Sequence, residues 1–415
     1  MRIVVVHWTR RAAGGAEATL AAPLAAFAEA GHELALWYEI DRPADRAPFP
    51  LPEGTVSWCA EALGADAALA ALRAWRPDVV LAHGMLDPGL ERRVTDVAPG
   101  VFFPHDYYGT CISGNKTFTF PRTRPCAERF GWPCLVRYFP RRTGGLSPVT
   151  MSRAFRRQRT RLATLRRCHA LAVLSQHMRA EYVRHGFAPE RVACLPPPPL
   201  TLDPRAPAGA TDPGPPAAGG VPLSLLFVGR MDPLKGGAQL LRAAARVAAT
   251  LDWPVEPTLA GDGPARGAWE GLAGRLARRD PRLRPQFPGW VPRDQLPARF
   301  ARAHVLVVPS LWPEPFGRVG LEAAAFGLPA AAYAVGGIPE WLTDGANGHL
   351  APGDPPTVAG LTAAIVRTVR DPAHYAALRA GARAAARRVV PGAHARALLD
   401  LLERAAAGHA TARGA

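Results

Sequence analysis

At 415 residues the chain is long enough for two ordinary domains, each burying its own core. Hydrophobic residues make up 48% and charged residues 20%, a globular composition that excludes a disordered or collagen-like chain. The net charge of +16 favours anionic partners, although lysine occurs only at Lys116 and Lys235 and the enrichment in Arg, Ala, Pro and Gly is what a GC-rich genome writes.

The chain opens on Arg2 to His7, a buried-strand pattern without the charged and apolar regions of a secretory signal, so no leader is expected. No apolar run is long enough to cross a bilayer. Six cysteines in a chain of this kind should be mostly reduced thiols, and the expected compartment is the cytoplasm.

In the first half, strands are predicted at 2–7, 33–38, 79–82, 100–104, 169–174 and 192–195, with helices at 16–30, 66–75 and 176–185. Such alternation implies βαβ units and a parallel, doubly wound sheet. Residues 203–220, rich in Pro, Gly and Ala, cannot build a core and read as a linker. The alternation then restarts, with strands at 223–228, 256–260, 285–288, 303–308 and 329–333 and helices near 237–249, 265–278, 318–326 and 355–370, before helical patterns at 373–388 and 393–407. The expected organisation is an α/β chain of two Rossmann-like domains, 1–202 and 221–388, with a final helix within 389–415 packing back on the first. In sheets of this kind ligands bind outside the carboxyl ends of the strands.

Three motifs of the second half fall at strand ends. Gly229 and Arg230 close a strand, and Lys235 with Gly236 leads into a helix N-terminus, where backbone amides favour an anion and two cations can neutralise a diphosphate. A solvated Arg and Lys in a surface turn is the plainer reading, yet a lysine here is notable in a chain that writes its cations as arginine. Gly261, Asp262 and Gly263 permit a tight turn after the next strand. Glu314 follows the 303–308 strand and Glu322 lies in the helix after it, about two helical turns on. Carboxylates accept hydrogen bonds from sugar or ribose hydroxyls. Trp312, Pro313, Pro315 and Phe316 surround Glu314 with stiff apolar groups, and Gly317 permits close backbone approach.

Glu314-Pro315-Phe316-Gly317 with Glu322, preceded by Gly229-Arg230 and Lys235-Gly236 and by Gly261-Asp262-Gly263-Pro264, resembles the donor site of the family-4 glycosyltransferases, in order as well as spacing. The resemblance implies the GT-B fold and a retaining transfer from a nucleotide-diphosphate sugar, with the donor phosphate taking the acceptor's proton. It implies that Glu322 holds the ribose, that Glu314 contacts the transferred sugar, that Arg230 and Lys235 bind the diphosphate, and that the backbone at Trp290 and Val291 meets the base. In the first half it extends, more loosely, to a glycine loop at Gly14 and Gly15 and to His105, beside the transferred sugar; His83 is expected to support or pack. The catalytic set is therefore His105, Glu314, Arg230 and Lys235. No Asp-x-Asp pair exists in the sequence, so neither a cofactor nor a catalytic divalent metal is expected.

Residues 107–147 read as neither strand nor helix and hold Cys111, Cys126 and Cys134 among aromatic residues. Their spacing lacks the close pairs of common zinc sites, which makes buried thiols the stronger reading and a metal site the weaker. Residues 151–167 carry seven arginines among Met151, Phe155, Leu162 and Leu165. Such a helix can lie on an anionic bilayer or pack its apolar edge on the core. The acceptor is open among glycan, lipid-linked and small-molecule classes, with cell-surface polysaccharide or glycolipid synthesis the expected setting. The alternatives are an epimerase or phosphorylase of the same fold, or a non-enzymatic protein binding membrane or nucleic acid; the scattered arginines lack an aromatic-basic stacking pattern, so no nucleic-acid partner is expected.

Overall fold

Runs such as Ile3-Val4-Val5-Val6 and Val305-Leu306-Val307-Val308 are buried along their whole length. Unbroken apolar runs suit strands covered by helices on both faces, as in parallel sheets. The computed structural model describes residues 1–11, 15–44, 46–197, 214, 221–390 and 392–414. Gly14 and, save Gly214, the segment 203–220 lie outside the described residues.

The elements follow one another as β1 (Arg2–Thr9), α1 (Gly15–Glu29), β2 (Glu33–Ile40), β3 (Val56–Cys59), α2 (Ala60–Leu63), α3 (Ala65–Trp75), β4 (Val79–Ala82), α4 (Pro88–Thr95) and β5 (Gly100–Phe102). Next come β6 (Thr117–Phe118), β7 (Arg124–Pro125), α5 (Pro133–Arg137), α6 (Pro148–Arg167), β8 (Ala170–Val173), α7 (Gln176–Arg184) and β9 (Val192–Cys194). The later half runs β10 (Leu223–Val228), α8 (Gly237–Leu251), β11 (Val255–Ala260), α9 (Arg266–Arg279), β12 (Gln286–Gly289), α10 (Leu296–Arg302), β13 (Val305–Val308), α11 (Val319–Ala325), β14 (Ala330–Tyr333), β15 (Gly348–Ala351), α12 (Val358–Val369), α13 (Pro372–Arg387) and α14 (Ala393–Gly414).

Two compact units result, one made of Met1–Lys116, Ala127–Leu200 and Val390–Ala415, the other of Thr117–Cys126 and Thr201–Val389. The first holds a parallel sheet in the order β3-β2-β1-β4-β5-β8-β9, with β1 in register with β2 at Ile3 and Leu34. Helix α14 packs on α1, β4, β5 and β8 of this unit. The second holds a parallel sheet in the order β12-β11-β10-β13-β14-β15. Each is a doubly wound, Rossmann-like sheet whose strand order reverses once, between β1 and β4 in the first and between β10 and β13 in the second.

Outside the insert, five elements escape the sequence reading: the short helices α2 and α10, helix α4, and the strands β3 and β15. Asp87-Pro88-Gly89 looks like a turn, but Asp87 caps α4 by accepting from the Gly89 amide at 2.7 Å, with Pro88 at the first helical position. Strands β3 and β15 are four residues each and lie at sheet edges, too short for periodicity to reveal. The 107–147 segment is also more ordered than expected. It contains the antiparallel pair β6–β7 and helix α5, and Thr117–Cys126 groups with the second unit, so the insert does not remain whole in the first.

Candidate functional site

The second sheet reverses where β10 and β13 run side by side, in register at Leu225 with Val305 and Leu226 with Leu306. Their carboxyl ends therefore deliver the next residues of both chains to one place. After β10 the chain passes Gly229, Arg230 and Lys235 before α8; after β13 it passes Ser310, Trp312 and Glu314 before α11.

Lys235 Nζ donates to both carboxylate oxygens of Glu314, at 2.7 and 3.0 Å. Glu314 Oε1 also accepts from Trp312 Nε1 at 2.9 Å and from the Ser310 hydroxyl. The ammonium lies 5.1 Å from the centre of the Trp312 ring, within cation–π reach. Glu314 is buried, its side chain only 7% exposed, so its charge is stable there because three donors serve it. Trp312 was legible as part of a stiff wall, but its indole donor and the Ser310 hydroxyl were not; a hydroxyl and an indole flanking a glutamate show no period.

Backbone contacts hold this loop cluster together. Gly229 N donates to Ala260 O at 3.0 Å, Gly261 N to Gly289 O at 2.8 Å, Leu311 N to Leu234 O at 2.8 Å and Gly337 N to Glu314 O at 2.8 Å. Gly236 has φ 75°, and a Cβ there would lie 1.8 Å from the Pro309 carbonyl oxygen. At Gly261, φ 149°, a Cβ would lie 1.9 Å from Gly229 O, so glycine is required where the loops touch.

The other expected donor residues are distributed around this centre. Arg230 is 72% exposed and pairs with Asp232 at 3.6 Å rather than joining the Glu314 cluster. Asp262 accepts from the Gly263 amide at 2.7 Å and lies 3.6 Å from Arg266. Trp290 is exposed and Val291 buried, just past Gly289. Phe316 is buried, its carbonyl accepting from Trp341 Nε1 at 2.8 Å, and Gly317 takes φ 86° against the same indole. Glu322, in α11, forms no hydrogen bond with Glu314; burial raises its carboxyl above the usual range, and the charges of Arg318 and Arg293 oppose the shift. Burial pushes the Arg318 guanidinium down to about 10.

In the first unit Gly15 opens α1, the helix after β1. His105 follows β5, and its Nε2 lies 2.8 Å from Nδ1 of buried His83, with the rings stacked 5.1 Å apart. Burial drives the His83 imidazole well below its ordinary value, so His83 is neutral, and which ring nitrogen of the pair donates depends on the tautomers. Phe103 stacks on His105 at 5.2 Å. Asp106 is pushed up to about 7 by burial, against the opposing hydrogen bond from the Tyr108 amide.

Cys111, Cys126 and Cys134 are free thiols, and no group of three or more His, Cys, Asp or Glu side chains suited to a metal gathers among the described residues. No helix among the described residues is long and apolar enough to cross a membrane.

Two family models match the chain: Glycosyltransferase Family 4 over residues 13–198 and Glycosyl transferases group 1 over 222–371. D-inositol 3-phosphate glycosyltransferase of Streptomyces avermitilis is 41% identical over 172 residues, 39% of this chain and 35% of the relative. Glycogen synthase of Mycobacterium tuberculosis is 36% identical over 169 residues, 40% of this chain and 38% of the relative. The matches thus span little more than a third of the length of these curated relatives. Among solved structures, HepE of Anabaena, determined with UDP and glucose, aligns with a TM-score of 0.68 at 19% identity, covering 97% of this chain and 99% of that one. Sucrose-phosphate synthase of Thermosynechococcus elongatus aligns with a TM-score of 0.70 at 20% identity, covering 98% and 100%. The fold of these neighbours is GT-B.

Proposed function

Because the chain belongs to the family-4 glycosyltransferases, enzymes of the GT-B fold, we propose that it moves a sugar from a nucleotide-diphosphate donor to an acceptor hydroxyl with retention of anomeric configuration. The observation that carries this reading is the Lys235–Glu314 cluster at the strand-order reversal of the second sheet.

In this reading Lys235, Arg230 and the amides at the start of α8 bind the diphosphate and stabilise the charge it gains as it departs. Glu314 receives a hydroxyl of the transferred sugar. Glu322 takes the ribose, and the strip at Trp290 and Val291 the base. A bond forms between the acceptor oxygen and the anomeric carbon as the bond from that carbon to the diphosphate breaks; the acceptor proton passes to the departing phosphate. Cationic side chains supply the charge that a divalent metal supplies elsewhere, in keeping with the missing Asp-x-Asp pair. The acceptor is a glycan, a lipid-linked sugar or a small molecule, with the setting cytoplasmic synthesis of cell-surface polysaccharide or glycolipid. The UDP in HepE makes uridine donors the first to try.

Calorimetry with a panel of nucleotide sugars tests the reading. One donor should bind, and its heat should vanish in Lys235→Ala. If no member of the panel binds, the reading fails.

A further inference from the structure

The segment 129–167 contains eleven arginines and no aspartate, glutamate or lysine. It lies wholly in the first unit. Of the apolar edge of 151–167, Leu162 and Leu165 of α6 are buried in the core, while Met151 and Phe155 are half-buried. The exposed apolar groups lie just upstream: Trp132 (71%), Val136 (63%), Leu146 (81%) and Val149 (67%).

These groups sit on an ordered support. Tyr138 is buried and the chain folds back on it, with Thr143 N donating to Tyr138 O at 3.1 Å. Phe130 packs against Phe155 of α6, ring centres 5.0 Å apart, which ties the apolar segment to the basic helix. At 100° per residue, Val149, Arg153, Arg156 and Arg159 share one arc of α6, and all four are exposed. Arg157 and Arg161 are engaged elsewhere, donating to the carbonyls of Leu86 and Met85.

We propose that α5, the turn after it and the outer arc of α6 form a docking surface for an anionic phospholipid bilayer. The arginines meet the headgroups, and Trp132, Val136, Leu146 and Val149 enter the interfacial layer. A nucleic acid would satisfy the charge but offers no hydrocarbon for three exposed aliphatic side chains; a bilayer satisfies both. This surface is independent of the donor site.

The test is co-sedimentation of the whole chain, without donor, with vesicles of equal parts phosphatidylcholine and phosphatidylglycerol, and with phosphatidylcholine vesicles alone. Binding to the anionic vesicles should exceed binding to the neutral ones at least tenfold. Each arginine near an anionic surface contributes about a fivefold change in partitioning, so Arg153→Gln/Arg156→Gln/Arg159→Gln should weaken it more than tenfold. In Val136→Ser/Leu146→Ser/Val149→Ser the remaining binding should vanish at about 0.5 M salt, where charges are screened within a few ångströms, while the unaltered chain retains part of its own. Unchanged far-ultraviolet dichroism and melting in both variants show that the fold persists. No binding to anionic vesicles, binding insensitive to both triple substitutions, or tighter binding to an oligonucleotide than to vesicles would overturn the proposal.

Discussion

Lys235 and Glu314 are 79 residues apart in the chain, yet the ammonium contacts both carboxylate oxygens, at 2.7 and 3.0 Å. They meet because β10 and β13 are neighbours at the reversal of the second sheet. Ser310 and Trp312 donate to Oε1 only, which leaves Oε2 with Lys235 as its one hydrogen-bond partner among the described residues. Oε2 is thus the oxygen with capacity for a ligand hydroxyl. Lys235→Ala and Glu314→Ala should each lower turnover about 10²–10³-fold, the usual cost of removing one preorganised electrostatic contact, while far-ultraviolet dichroism stays unchanged. Product formation by mass spectrometry with the donor found by calorimetry is the measurement.

Arg230 offers a contrast. It is 72% exposed and engages Asp232 at 3.6 Å, so nothing in the folded core depends on it. Arg230→Ala should leave stability within about 0.5 kcal/mol of the parent and weaken donor binding about tenfold, as expected for a lost charge-assisted contact to phosphate. A melting curve beside a titration separates the two effects.

Gly236→Ala should act on both fold and site. The added Cβ meets the Pro309 carbonyl oxygen at 1.8 Å and the backbone holds φ 75°. The loops after β10 and β13 must separate, at a cost of about 1–3 kcal/mol for the backbone conformation alone, and Lys235 moves away from Glu314. Urea unfolding should show the loss, and donor affinity should fall with it. By comparison, Gly267→Ala in α9 meets nothing within 4 Å and should be silent.

Acid stability should carry the mark of His7. Its pKa falls from 6.5 to about 4, chiefly through burial. Between those values the unfolded chain holds a proton that the folded chain does not, so the contribution of His7 is complete above pH 6.5 and is lost as pH falls toward 4. Buried Glu91, raised to about 7, acts in the opposite sense: its folded form holds the extra proton, and its contribution declines as pH rises from about 4.5 to 7. Comparing the parent with His7→Asn isolates the first effect. The stability difference between them should shift against the parent by about 1.4 kcal/mol per pH unit across that window, followed by urea unfolding at pH 7, 6 and 5.

The other lysine, Lys116, is buried against Glu181 at 2.5 Å and donates to Glu128 O at 2.6 Å. Lys116→Ala removes one partner from buried Glu181 but leaves Arg184 on its other oxygen, so it should cost about 1–3 kcal/mol. Lys116→Ala/Glu181→Ala should recover part of the loss, since no half-served carboxylate then stays buried. Denaturant midpoints for the three chains check this.

Much of the fold was legible because long apolar runs and helical periods are local signals. The strands from β10 to β14, the helices α8, α9 and α11 to α14 and the glycines beside Arg230 and Asp262 all declare themselves over a few residues. Helix α4 and the edge strands β3 and β15 did not. A capped turn resembles any other turn, and four residues at an edge are too few to show a period.

The sequence by itself determined the residue types and order of the strand-end motifs, and with them the two-sheet architecture. Only the tertiary structure decided that Glu314 is held by Lys235, Ser310 and Trp312 together, that His83 lies against His105, and that Leu162 and Leu165 of α6 face the core while Trp132, Val136, Leu146 and Val149 stay exposed. Periodicity records how a segment divides its own faces. Which neighbour covers a face, and which distant side chain completes a hydrogen bond, depend on strand order and on loops that meet in space, and no local pattern encodes those.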